Sequence, residues 1–451
     1  MAWQYSVDEL AAIVSAPAPG VSAHFSAVST DTRTLAPGDV FFALSGENFD
    51  GNRFVPGAFE RGAVAAVTSA PLPGKPCILV DNPLQALQRF AARHRAQFPV
   101  PVIAITGSCG KTTTKELLAA VLGVRYRVVK TQGNLNNDIG CPISLLQMDR
   151  DTQCAIIEMG ANHAGEIAQL CAIARPTEAA VTMVAPAHLE GFGSIERVAD
   201  AKAEIAEGLP PGGCFYVNND NAWCVRIAER YAGRKIRFGH SGDVVLESRS
   251  PSEGGETLLR INPVGEVRLP LPVPAHASNV LLAIAVGLQH GITEFEAPLR
   301  AALSRSIRLK IERIGPLEVL DDSYNANPAS IEAALEALAA RPGGGARLAA
   351  LGSMLELGET SARLHYETGE AAGRLGVTHL FARGPNAADL VAGARASGIA
   401  VAEAMEEYAD IAEAIKSHAR AGDALLVKGS RGMGMERILP LLRTLYDETG
   451  R

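Results

Sequence analysis

Apolar residues are spread along the chain in two rhythms. Short, often β-branched runs at 100–105, 155–157, 179–184 and 215–217 read as buried parallel strands. Stretches of helical period lie between them, such as Lys111–Leu122 with apolar residues at 117, 118, 121 and 122. The first 80 or so residues combine strand-like runs at 40–44, 64–67 and 78–80 with turns at Pro37-Gly38-Asp39 and Asp50-Gly51, which predicts a small α/β unit. A hinge at Asp81-Asn82-Pro83 leads into a helix over 84–98. A Gly- and Pro-rich, β-like segment at 240–274 and a helix at 277–290 follow. The alternation then restarts with strands at 317–320, 347–351, 379–382 and 424–427. Strands alternating with helices predict doubly wound sheets. At 451 residues, two or three such domains are expected, not one core.

Composition narrows the function without naming it. The chain is 47% hydrophobic and 20% charged, as in ordinary globular proteins. A net charge of -7 argues against a broadly basic, nucleic-acid-binding surface but leaves room for a local anion pocket. The seven cysteines are scattered with no C-x-x-C pair, which suggests neither a zinc knuckle nor a disulfide framework and fits a reducing cytoplasm. The start, Met-Ala-Trp-Gln-Tyr-Ser-Val-Asp, has no basic region followed by an apolar one, and the longest apolar runs are too short to span a bilayer. Neither export nor a membrane anchor is expected.

The candidate chemistry begins at Ile105-Thr-Gly-Ser-Cys-Gly-Lys-Thr-Thr-Thr-Lys-Glu116, between a predicted strand and a predicted helix. It resembles the phosphate loop G-x-x-x-x-G-K-S/T, except that Ile105 stands at the first glycine. Gly107 and Gly110 permit close backbone approach, and the following helix points its first N–H groups at an anion. Ser108, Cys109 and Thr113 belong to the same cradle, Lys111 would reach the terminal phosphates, and Thr112 could bind Mg²⁺. Gly-Lys pairs also occur in ordinary turns, so the rest of the chain has to decide.

Glu158 and His188 each follow an apolar strand and so fall at the carboxyl edge where doubly wound sheets bind ligands. Glu158 there would complete a metal-nucleotide site; His188 is either a ligand or a structural histidine. In the predicted helix around 196–209, Val198, Ala201, Ile205 and Leu209 form one apolar stripe, with Lys202 on its inner side. Such a lysine either snorkels or, with a depressed pKa, could react with CO₂ to give a carbamate able to bind Mg²⁺.

These segments, together with Thr131-Gln-Gly-Asn-Leu-Asn-Asn137, Glu158-Met-Gly-Ala-Asn162, Ala201-Lys-Ala-Glu-Ile205, Asp321-Asp-Ser-Tyr-Asn-Ala-Asn-Pro328, Leu351-Gly-Ser-Met-Leu-Glu-Leu-Gly-Glu359 and Val427-Lys-Gly-Ser-Arg-Gly432, resemble the Mur ligase family over essentially the whole chain. That family uses a shortened G-x-x-G-K-T loop, which accounts for Ile105. The resemblance implies an α/β protein of three domains: a small UDP-sugar-binding α/β domain at 1–82, a central P-loop ATPase-type domain at 83–310, and a Rossmann-like C-terminal domain at 311–451 that contacts ATP and takes the incoming dipeptide. It further implies a cytoplasmic, ATP-dependent ligase, a monomer, that joins D-alanyl-D-alanine to UDP-N-acetylmuramoyl-tripeptide through an acyl phosphate.

By the same resemblance, Thr112 and Glu158 hold one Mg²⁺, while His188 and carbamylated Lys202 hold a second. Lys111 and Arg308 meet the phosphates, His276 and Asn279 lie on the nucleotide side, and Asp322, Tyr324 and Asn325 bring the third domain onto ATP. Ser29, Thr30, Asp31, Arg33, Ser45 and Gly46 correspond to loops that hold the UDP end, and Asn134, Asn136 and Asn137 lie where the glycopeptide approaches. Ser353 stands where the family usually has Asp, and Ser306-Ile-Arg308 replaces a Gly-Arg context. Two alternatives stay open. One is another ligase of the superfamily, although the D-N-P-R/A clamp of the diamino-acid-adding enzymes does not occur between 340 and 440. The other is an ATP-gated binding protein without ligation activity.

Overall fold

The computed structural model describes residues 3–46, 49–252, 256–271, 276–305, 309–341 and 344–449. Arg308, expected beside the phosphates, lies outside the described residues, as do Ser306 of the same segment and Glu47 and Asn48 of the first-domain loop.

Three principal sheets follow one another along the chain. The first has four parallel strands, in the order Val28–Ser29, Val40–Phe42, Ala65–Thr68, Cys77–Leu79. The second has nine strands, beginning Val128–Lys130, Cys154–Glu158, Val102–Thr106, Glu178–Val181, Cys214–Asn218 and Arg234–Gly239, all parallel. The β-like segment at 240–274 becomes Val244–Pro251, Thr257–Asn262 and Gly265–Leu269, which extend the same sheet and turn antiparallel after the first of the three. The third sheet runs Lys310–Ile314, Leu317–Asp322, Ala424–Lys428, Arg347–Gly352, His379–Arg383, Val401–Ala404 and is parallel after its first strand.

The apolar runs form central strands because both faces of a parallel sheet are covered. On one face, Ile103, Ile105 and Ile156 pack with Leu117, Leu118, Val121 and Leu122 of the helix Lys111–Leu122 and with Val280 and Ile284 of the helix His276–Gln289. On the other, Ala104, Ile157 and Val217 meet Leu87, Leu170, Val198 and Ile205, borne by the helices Pro83–Arg95, Glu166–Ala174 and Ile195–Glu207. Each fully buried Leu, Ile or Val contributes about 1.5–3 kcal/mol of transfer free energy.

Several elements are shorter than the patterning predicts. The helix expected over 84–98 is Pro83–Arg95, capped by the Asn82 side chain, which accepts from Leu84 N and Gln85 N at 2.9 and 3.1 Å. The run at 179–184 yields the strand Glu178–Val181, since Thr182 and the residues after it peel away to meet the phosphate loop. The weakly apolar edge strands Val128–Lys130 and Val401–Ala404 carry too little pattern to be expected from sequence. Lys310–Ile314 begins one residue before the expected third-domain start.

Candidate active site

A cleft of about 750 Å³ opens between the central and third domains. The carboxyl ends of strands from both sheets reach it: Glu158, Thr182 and Asn218 from the central sheet, Asp322 and Lys428 from the third. This is the edge at which open parallel sheets bind ligands.

The phosphate loop joins the strand Val102–Thr106 to the helix Lys111–Leu122. Ile105 is a buried strand residue paired with Glu158 and Ala180, so the loop proper starts at Gly107. Both glycines are required by geometry. Gly107 has φ +149, and a Cβ there would lie 1.9 Å from Thr182 Oγ1; Gly110 has φ +85, and its Cβ would lie 2.7 Å from Asn279 Oδ1. Ser108 Oγ donates to Ala185 O at 2.8 Å and accepts from Ala185 N at 3.0 Å, so this side chain braces the loop where it lines the cleft. Thr182 Oγ1 donates to Cys109 O at 2.5 Å. The amide oxygen of Asn279 accepts from Thr114 Oγ1 at 3.2 Å, which ties the first turn of the helix Lys111–Leu122 to the helix His276–Gln289. Lys111 Nζ folds back onto Gly107 O at 2.7 Å, while Cys109, Thr112 and Thr113 line the cleft.

Glu158, 1% exposed, stands beside the loop. Its Oε1 accepts from Asn136 Nδ2 at 2.9 Å and from Thr112 Oγ1 at 3.3 Å. Its buried Oε2 has no hydrogen-bond donor; the nearest charge is Lys115 Nζ at 3.5 Å. A carboxylate with one unsatisfied oxygen next to a threonine hydroxyl suits a hard divalent cation. Among the described residues no group of three or more His, Cys, Asp or Glu is gathered for a metal. A cation at Thr112 and Glu158 would therefore complete its shell with phosphate and water oxygens, as Mg²⁺ commonly does.

Lys202 is 3% exposed, on the inner side of the helix Ile195–Glu207 as the stripe implies. Burial, reinforced by the positive charge of Lys111, holds its amine down to about 7. His188 also lines the cleft, and burial lowers its pKa against the pull of Glu356, whose Oε2 its Nδ1 meets. Burial drives His276 down to about 4, with Asp322 opposing, and its Nδ1 is buried without a partner.

From the third domain, Asp322, Tyr324 and Asn325 all line the cleft. Lys428, 2% exposed, bonds Asp322 Oδ2 at 2.5 Å and Asn325 O at 2.8 Å, and Asn327 Nδ2 donates to Ser108 O at 3.0 Å across the domain boundary. Lys115, Lys428, Asn327 and Glu356 were not singled out by sequence. A signal existed for Lys428, which ends an apolar strand just as Glu158 does.

Asn134, Asn136 and Asn137 line the cleft, but the first-domain residues do not. Arg33 and Asp31 form an Asx-type turn with a paired side chain: Asp31 Oδ1 accepts from Arg33 N at 2.9 Å and Oδ2 from Arg33 Nη2 at 2.6 Å. That arginine holds the Asp31 carboxyl at about 2. Ser29 Oγ donates to Asp31 O at 2.8 Å, next to Thr30, and Ser45 Oγ donates to Asp50 Oδ1 at 3.1 Å beside Gly46. None of these turns lines the cleft.

Three family models match successive parts of the chain: "Mur ligase family, catalytic domain" at residues 24–95, "Mur ligase middle domain" at 105–287 and "Mur ligase, glutamate ligase domain" at 308–431. The chain belongs to the Mur ligase family. It is 37% identical over 457 residues, 97% of this chain and 98% of the relative, to the UDP-N-acetylmuramoyl-tripeptide--D-alanyl-D-alanine ligase of Escherichia coli (strain K12). It is 37% identical over 426 residues, 92% of this chain and 91% of the relative, to the protein of the same name from Synechocystis sp.. The structure is similar to a crystal structure of MurF from Acinetobacter baumannii, with TM-score 0.90, 29% identity and 98% and 99% of the two chains covered. It is also similar to MurF ligase from Thermotoga maritima in complex with ADP, with TM-score 0.82, 28% identity and coverage of 94% and 98%. Ser353, the residue at which the resemblance departs from Asp, is fully buried, accepts from Asn386 N at 3.0 Å and donates to Arg383 O at 3.3 Å. It serves as a turn brace in the third domain.

Proposed function

We propose that this Mur ligase joins D-alanyl-D-alanine to UDP-N-acetylmuramoyl-tripeptide at the expense of ATP, giving the UDP-MurNAc-pentapeptide precursor of peptidoglycan. The observation that carries this reading is the meeting of the phosphate loop and Glu158 with Asp322, Tyr324 and Asn325 of the other domain in one cleft. The names of the relatives support the choice of substrates. The labour is divided by domain: residues 1–82 hold the UDP end through the turns around Arg33 and Ser45, 83–310 hold ATP, and 311–451 close on the nucleotide and take the dipeptide.

A carboxylate is a poor electrophile until one oxygen becomes a leaving group. The tripeptide carboxylate attacks the γ-phosphorus of ATP and ADP departs. The dipeptide amine then attacks the acyl carbon, phosphate leaves, and the amine loses a proton to solvent. The chief obstacle is bringing carboxylate against triphosphate. Lys111, released from Gly107 O, and Arg308 supply positive charge on the phosphates, and the first N–H groups of the helix Lys111–Leu122 cradle them. Mg²⁺, when bound, would neutralise phosphate charge; Thr112 and Glu158 suit one ion, and His188 with Lys202 a second. A carbamate formed on the Lys202 amine would supply the carboxylate that such a second ion needs. We place the enzyme in the cytoplasm as a monomer, a setting that suits its seven free thiols.

The test is phosphate release from ATP with each substrate omitted in turn. Release that needs both UDP-tripeptide and D-alanyl-D-alanine is expected; hydrolysis indifferent to them would make the chain an ATP-gated switch. Mass spectra of the product from lysine- and diaminopimelate-containing precursors would identify the third residue.

A further inference from the structure

Glu356 belongs to the third domain, in the loop between the strand Arg347–Gly352 and the helix Ser361–Arg374, yet it touches the central domain twice. Its Oε2 meets His188 Nδ1, and its carbonyl accepts from Glu190 N at 3.0 Å. Gly358, two residues on, sits so close that a Cβ there would lie 3.5 Å from Glu190 Cα. His188 (φ 52) and Glu356 (φ 63) both hold left-handed backbone without being glycine. Such a conformation persists where its surroundings over-determine it, and here the two strained residues hold each other. With Nδ1 given to Glu356, the other ring nitrogen is left for the cleft that His188 lines.

We propose that Glu356 is a positioning residue: a latch that holds the third domain against the central one through His188 and fixes which ring nitrogen faces the reactants. Its effect on turnover rests on the ligase reading above; the contact itself rests on the geometry of the two domains alone. The carboxylate is 54% exposed and the imidazole 33%, so the contact shifts a population of domain arrangements and does not hold the fold together.

Two variants test it. Glu356→Asn suits the left-handed backbone, because Asn tolerates positive φ, but its side chain is one methylene too short to reach His188. Glu356→Gln keeps the length and an acceptor oxygen. Small-angle X-ray scattering of the ligand-free proteins should show a larger radius of gyration for Glu356→Asn and one near wild type for Glu356→Gln, with thermal midpoints unchanged. In turnover, Glu356→Asn should lose kcat about tenfold with the KM for the UDP-glycopeptide unchanged, and Glu356→Gln should recover most of it. Scattering of Glu356→Asn identical to wild type would overturn the latch, since the Glu190–Glu356 backbone bond and the Asn327–Ser108 bond would then suffice. If wild type itself fails to couple phosphate release to both substrates, the ligase reading falls while the scattering comparison still decides the latch.

Discussion

Gly107 shows how one missing side chain makes a site. Its φ of +149 belongs to a region open almost only to glycine, and a methyl group there would collide with Thr182 Oγ1, the atom that also donates to Cys109 O. Gly107→Ala should cost about 2 kcal/mol or more from overpacking and backbone strain, lowering the thermal midpoint by several degrees and weakening nucleotide binding. Adding Thr182→Ala to that variant removes the collision but not the strain, so recovery should be partial. An unchanged melting temperature in Gly107→Ala would contradict this account of the loop. At this scale the sequence is legible where position in an element exposes a role, as for Glu158 at a strand end and Lys202 on an apolar stripe. It is illegible where the role is a contact: Lys115, fully buried and bonded to Gly133 O at 3.0 Å, looks in sequence like any helix lysine.

The helix Pro83–Arg95 shows what an element adds. It packs between the helix Val7–Ile13 of the first domain and the helices Gly140–Leu145 and Glu166–Ala174 of the second, so it belongs to both. Near its end, His94 is fully buried among Trp3, Tyr5 and Phe98; its Nε2 lies 2.9 Å from Met148 O and its Nδ1 3.1 Å from Tyr5 OH. An imidazole that donates to the carbonyl through Nε2 and accepts the phenol proton at Nδ1 satisfies both partners while neutral. Burial lowers its pKa, so the folded state binds this proton less readily than the unfolded chain. The resulting stability is full above the unfolded value of about 6.5 and is lost as pH falls from there toward the lower folded pKa. Thermal unfolding at pH 7.5 and 5.5 should show a loss on acidification that is smaller in His94→Gln, with His188, His276, His365 and His379, also depressed by burial, contributing to the remainder. An equal loss in both proteins would remove His94 from the account.

Across the whole molecule, the first domain's candidate turns stand apart from the cleft, while the third domain's residues enter it. Arg33 presents a side chain 86% exposed and fixed by Asp31, ready for an anionic ligand. Arg33→Ala should raise the KM for the UDP-glycopeptide about tenfold, the worth of one charged hydrogen bond, and leave that for ATP unchanged. Asn325→Ala should do the reverse, because Asn325 lies in the cleft beside Asp322 and its side-chain Oδ1, which accepts from Ala326 N at 2.9 Å and Arg431 N at 3.4 Å, is removed. Steady-state kinetics with each substrate varied separately decides the matter: a raised KM for ATP in Arg33→Ala with the other unaltered would refute the division of labour.

By itself the sequence determined the central strands, the helices with a clear apolar stripe and their order, because buried parallel strands need unbroken apolar runs and helices an apolar stripe; the weakly apolar edge strands escaped it. It also fixed the phosphate loop, whose glycines answer to local backbone geometry, and it carried the family resemblance in short motifs. Only the tertiary structure decided which residues meet. The His188–Glu356 contact spans 168 positions and Asn327–Ser108 spans 219, separations that no local period encodes. The depression of Lys202 and His276 likewise comes from burial and from neighbouring charges, which exist only once the chain has closed around them.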